Sequence, residues 1–129
     1  MSMPATDTPV TDQEADIRLR VSLGAAGFDR IEPGWFTPDR IDLLTLDVEN
    51  PFTCPIAQVF RDRGGHTVIE MIDPEAVAAG DSSAFTRYGF CCFDFYNSVR
   101  EEVSLLNDAW IREILTRRNS REAAVTINS

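Results

Sequence analysis

The stretch from Ser98 to Arg118, SVREEVSLLNDAWIREILTRR, decides the fold class. Val99, Val103, Leu106, Trp110 and Ile114 recur every three or four residues, while Arg100, Glu102, Asn107 and Arg112 take the other positions, the pattern of a helix with one apolar face. Ser98 and Glu101 have capping-box spacing: the hydroxyl accepts from the third backbone N–H of the helix and the carboxylate reaches back to the first residue's own N–H. A helix of this length needs other elements to cover its stripe, so the expected fold is mainly α, a small bundle-like single domain.

Upstream, Thr11-Asp12-Gln13-Glu14 repeats the capping-box spacing and starts a first helix. Ile17, Leu19, Val21 and Leu23 alternate with polar residues as a half-buried strand would, but Ala15, Leu19, Leu23 and Ala26 also fall at helical spacing. The cap favours the helix, with its end at Gly27. Glu32-Pro33-Gly34-Trp35 reads as a turn that presents an aromatic to the core. A short helical turn and an extended piece fill the run to Asn50. Thr53 then serves as N-cap for a second helix, with Pro55 in its first turn and Ile56, Val59 and Phe60 on one face, running to about Arg63 before Gly64-Gly65.

His66 to Ile72, HTVIEMI, is short and β-branched, and pairs with Phe90 to Tyr96 in a minor two-stranded β element, 66–72 with 90–96. Asp73-Pro74-Glu75 opens a two-turn helix that Gly80 stops. The core expected from periodicity is Trp35, Ile56, Val59, Phe60, Val103, Leu106 and Trp110. Residues 1–10 form a disordered N-terminal tail, 11–118 one globular domain and 119–129 a C-terminal tail.

Composition bounds the function. The chain has 129 residues, 43% of them hydrophobic, enough for one core. No apolar run reaches the roughly 18 residues that span a bilayer, and the N-terminus lacks the basic and apolar regions of a signal peptide, so a cytoplasmic protein is expected, with no membrane partner. Net charge of -9 opposes direct binding to nucleic acid. All twelve basic residues are arginine, which points to a GC-rich coding bias.

Three cysteines, two of them adjacent (Cys91, Cys92), make no disulfide framework. Cys54 at a helix N-terminus feels the positive end of the dipole, and with His66 as base it could act as a nucleophile in a small cysteine-dependent enzyme. No third group orients the histidine, so the expected role of Cys54 is structural, a small buried cysteine that helps to pack the second helix. Cys54, His66, Cys91 and Cys92 are four soft ligands, but without the C-x(2-4)-C spacing that presents two ligands from one turn to zinc. Gly64-Gly65 lacks the G-K-[ST] that a phosphate loop needs. No catalytic, metal or cofactor residue is therefore assigned, and the non-enzymatic reading leads.

The C-terminal helix is the expected interface. Leu105, Ala109 and Ile111 widen its apolar stripe, and Arg112, Arg117, Arg118 and Arg121 cluster at its end, where cations complement the macrodipole. The interface residues expected are Leu105, Ala109, Ile111, Arg112, Arg117 and Arg118, for another protein or for a two-fold homodimer.

The order G-A-A (Gly24 to Ala26), P-G-W (Pro33 to Trp35), I-D-x-x-x-L-D (Ile41 to Asp47), T-C-P-I-A-Q-V-F (Thr53 to Phe60), Y-G-F (Tyr88 to Phe90) and L-N-x-A-W (Leu106 to Trp110) resembles a group of small proteins of actinobacteria and their phages. Members of that group carry C-V-L-G-Q-[LVI]-[FY] where this chain has Cys54 to Phe60, so Pro55 and Ala57 depart from the pattern. The resemblance implies a genomic setting, a bacteriophage or mobile-element accessory protein, and no activity. The function expected is binding to a host or phage protein. The alternative to that and to the cysteine enzyme is an acidic nucleic-acid mimic that blocks a DNA-binding host enzyme, which would need carboxylates at phosphate-like spacing on one face.

Overall fold

Phe28 lies at the centre of an aromatic cluster, with ring centroids 5.1 Å from Trp35, 5.2 Å from Phe60, 5.2 Å from Phe90 and 5.6 Å from Trp110. These five rings join four of the five segments that the computed structural model describes, which are residues 12–50, 52–61, 64–81, 83–90 and 100–128, with backbone alone for 66, 100, 101 and 122–128; the segment 64–81 supplies none of them. Six helices are present among the described residues: α1 Asp12–Ile31, α2 Pro55–Val59, α3 Gly65–Ile72, α4 Pro74–Ala78, α5 Ala84–Arg87 and α6 Arg100–Asn128. The fold is mainly α, with no strand among the described residues.

α1 and α6 form the frame. Gly24 meets Trp110 and Asp29 meets Arg117, so the two helices run in the same direction. α1 buries Ile17, Val21, Gly24, Ala25 and Phe28, spaced i, i+4, i+7, i+8, i+11. This is the face opposite the one expected: Ala15, Leu19, Leu23 and Ala26 are all exposed. The small residues decide it. A Cβ on Gly24 would lie 2.2 Å from the Tyr88 carbonyl oxygen and 3.3 Å from the Phe90 and Trp110 rings, so only the glycine face lets these elements approach. Gly27 is part of that face and does not end the helix, which continues to Ile31.

The Glu32-Pro33-Gly34-Trp35 turn is present. Trp35 N donates to Glu32 O at 3.1 Å, and Gly34 has φ +80, the left-handed residue that a type II turn requires after proline. All seven expected core residues are buried.

Four further expectations need correction. Residues 66–72 are not a strand: Val68, Ile69 and Ile72 are buried on one side of α3, a helical spacing, and α3 packs on α1, α2 and α4. The proposed partner run lies beyond Phe90, outside the described residues. The N-cap of α2 is Cys54, whose Sγ accepts from Ala57 N at 3.5 Å, whereas the Thr53 hydroxyl is buried with no hydrogen-bond partner among the described residues. α2 stops at Val59, short of Arg63. α6 continues past Arg118 to Asn128, about 43 Å of helix, because Arg121, Glu122, Ala123 and Ala124 are good helix formers with no glycine or proline among them. Both capping boxes, through Thr11 and Ser98, and the tail 1–10 lie outside the described residues.

α4 matches its reading. The Asp73 carboxylate accepts from Ala76 N at 3.1 Å, Pro74 stands in the first turn, and Gly80 with φ +70 follows the end. Asp73 also accepts from the Tyr88 hydroxyl at 2.6 Å, tying α4 to the turn after α5.

Candidate functional site

Two arginines expected at an interface are committed inside the chain. Arg117 grips Asp29 with Nε 3.0 Å and Nη2 2.8 Å from its carboxylate oxygens, reaches Glu113 through Nη1 at 2.5 Å, and stacks 5.7 Å from the Trp35 ring centroid. Asp29 also accepts from Trp35 Nε1 at 2.9 Å. Burial pushes the Asp29 carboxyl up, but hydrogen bonds from Arg117 and Trp35 and the Arg117 charge outweigh it, so its pKa is lowered. Arg118 donates to Phe36 O at 2.6 Å and Ile41 O at 2.7 Å, pinning the 36–41 loop onto α6. Ala109 is buried, and Leu105 and Ile111 are half-buried against the core. Of the six expected interface residues, Arg112 is the one that is exposed.

Cys54 is half-buried, packs on the core and caps α2. His66 belongs to α3, and its side chain, like Cys91 and Cys92, lies outside the described residues. No group of three or more His, Cys, Asp or Glu suited to a metal occurs among the described residues. Some carboxylates on the described surface are paired with arginines, among them Glu14 with Arg18, Asp16 with Arg20 and Glu32 with Arg40.

A different region stands out. Between Ile41 and Thr53 the chain makes a loop over α2, and the two enclose a cleft of about 580 Å³ lined in part by Asp42, Thr45, Phe52, Gln58 and Arg61. Its most conspicuous side chains are apolar and exposed: Phe52 at 84% and, in the same loop, Leu44 at 96%. The loop is held from both sides. Gln58 accepts from Asp42 N at 2.7 Å and donates to Thr53 O at 2.8 Å and Asp42 O at 3.2 Å, clamping both ends to α2. Asn107 on α6 accepts from Val48 N at 2.8 Å, and Ile41, Leu46 and Val48 are buried beneath. Asp42 accepts from Leu44 N, and Asp47 from Glu49 N, both at 3.0 Å, fixing the two tight bends.

Sequence reading passed over Phe52, Leu44 and Gln58. Phe52 follows Asn50-Pro51 in a turn-forming run, where a large aromatic has no periodic neighbours, and that isolation was the available signal. Gln58 carried none, because its partners are backbone groups, those of Asp42 16 positions away and the carbonyl of Thr53.

No helix among the described residues is long and apolar enough to cross a membrane. Comparison of the chain with protein-family models, with curated proteins and with solved structures finds no match.

Proposed function

We propose that the protein acts by binding another protein through the loop that carries Leu44 and Phe52 and the cleft beside Phe52, as an accessory protein of a phage or mobile element directed at a host or phage protein. The observation that carries this reading is the exposure of two large apolar side chains on a loop that is clamped rather than loose. Single exposed leucines are ordinary, but an aromatic and a leucine on one pinned loop beside a concavity are what a binding anchor looks like. Holding the backbone in advance removes much of the ordering entropy that association otherwise costs.

The α1 stripe of Leu19 and Leu23 is the competing apolar face. It is less exposed and bordered by the Glu14–Arg18 and Asp16–Arg20 ion pairs. The test is affinity capture from host lysate on immobilised wild type, Phe52→Ser and Leu19→Ser, each first shown to be equally helical by circular dichroism. A protein retained by wild type and Leu19→Ser and lost by Phe52→Ser is the expected result. Equal retention by all three contradicts the proposal.

A further inference from the structure

Residues 36–50 are tied to the helices by side chains. Among the described residues no backbone–backbone hydrogen bond joins this stretch to a helix; its own turns close on themselves, as where Ile41 N donates to Thr37 O and Asn50 N to Asp47 O, both at 3.0 Å. Arg118 and Asn107 hold its two ends to α6, the first donating to the carbonyls of Phe36 and Ile41, the second accepting from Val48 N. On the α2 side Arg40 donates to the Val59 carbonyl and Gln58 brackets Asp42. Asn107 and Arg118 stand three turns of α6 apart, so they share one face, about 16 Å from each other along its axis. Both are half-buried.

We infer that residues 36–50 are a strap that opens and closes as one unit, latched to α6 by Asn107 and Arg118. Ile41 and Val48 are buried at the two latches and Leu46 is buried between them, so one apolar underside joins both ends. Freeing either latch leaves backbone groups beside that underside without their partners, which favours lifting the whole stretch into water. A segment held by so few fastenings opens at a lower free energy than the global one. Under the proposed partner docking, on which only this consequence rests, Asn107 and Arg118 are positioning residues. They set how rigidly Leu44, and Phe52 just past the end of the strap, are presented to the partner.

Native-state amide hydrogen exchange on the free protein reads each latch from the far end of the strap. In Asn107→Ala the reporter is the Ile41 amide, bonded to Thr37 O; in Arg118→Lys, which keeps the charge and loses the fork that spans two carbonyls, it is the Asn50 amide, bonded to Asp47 O. Each should exchange at least about tenfold faster than in wild type, with the Val21 and Ala25 amides of α1 unchanged. Faster exchange confined to Val48 in the first variant and to Ile41 in the second means independent contacts and no strap. Unchanged exchange throughout means that the latches hold nothing, and equal acceleration in α1 means that the stretch opens only with the whole molecule. Any of these three results overturns the inference. The experiment needs no partner, so its failure is distinct from failure of the capture experiment.

Discussion

Gly24 has no room for a methyl group, and that single fact orients the first helix. An added Cβ would stand 2.2 Å from a backbone carbonyl oxygen, which cannot swing aside as a flexible side chain could. Gly24→Ala should therefore cost about 3 kcal/mol or more, read as a fall in the urea midpoint, whereas Ala26→Gly on the exposed side should cost about 1 kcal/mol. Equal effects would mean that the buried face is wrongly placed. Cys54 allows a second prediction. As a weak sulfur cap it should be replaceable by the better oxygen cap, so Cys54→Ser should leave stability unchanged or raise it by up to about 1 kcal/mol and leave partner binding intact. A folded Cys54→Ser protein that has lost its activity would restore the thiol to a chemical role. At this scale Trp35 and Trp110 were legible, one from a proline–glycine turn and one from periodicity. Phe28, the hub, was not, because it follows Gly27, and a glycine there reads as a stop when it is in fact a contact.

The elements divide along the same line. α4 and α6 were legible because caps, prolines and periodicity agree in one direction. α1 offered two apolar faces, Ile17–Val21 and Leu19–Leu23, and side-chain size favoured neither; the small residues on one of them decided the outcome. α3 has strand-like composition, yet Val68, Ile69 and Ile72 fall together only as a helix, and burial overrides propensity. α6 is stapled to α1 by Arg117, and Arg117→Ala should cost about 2 kcal/mol after allowance for the half-exposed Asp29. Its pH behaviour follows in sign. Asp29 is lowered, and Asp81 is brought to about 2 by the Ser83 hydroxyl and N–H and by Arg87. Carboxyls whose folded pKa is lowered contribute stability above the unfolded value near about 4 and lose it as pH falls through the folded one. The melting temperature should thus drop between about pH 4 and pH 2, and drop less over that window in Asp81→Asn and in Arg117→Ala. An identical acid profile in all three would contradict the assignment.

Across the whole molecule, the motifs read in order along the chain converge in space. Gly24, the Tyr88-Gly89-Phe90 turn and Trp110 form one knot, in which Trp110 Nε1 donates to Gly89 O at 2.7 Å and Gly89, with φ +74, lies against Val21. The Pro33-Gly34-Trp35 turn meets Asp29 and Arg117, and the Cys54 to Phe60 run supplies a cap, a loop clamp and a core ring. Ile41 and Leu46 go into the core, and Asp42 and Asp47 shape the bends between. The motif residues are thus occupied in making the fold, which is why they announced an architecture and no chemistry. What they hold up is the Leu44–Phe52 loop, whose composition is ordinary and whose meaning depends on a clamp that only three dimensions reveal. Amide hydrogen exchange on the free protein and on its complex with the captured partner tests this most directly. Protection on binding should appear in residues 42–53 and 57–61 and leave the outer face of α1 and the Arg112 side of α6 unchanged; protection confined to either helix, with the loop still exchanging as in the free protein, would contradict it.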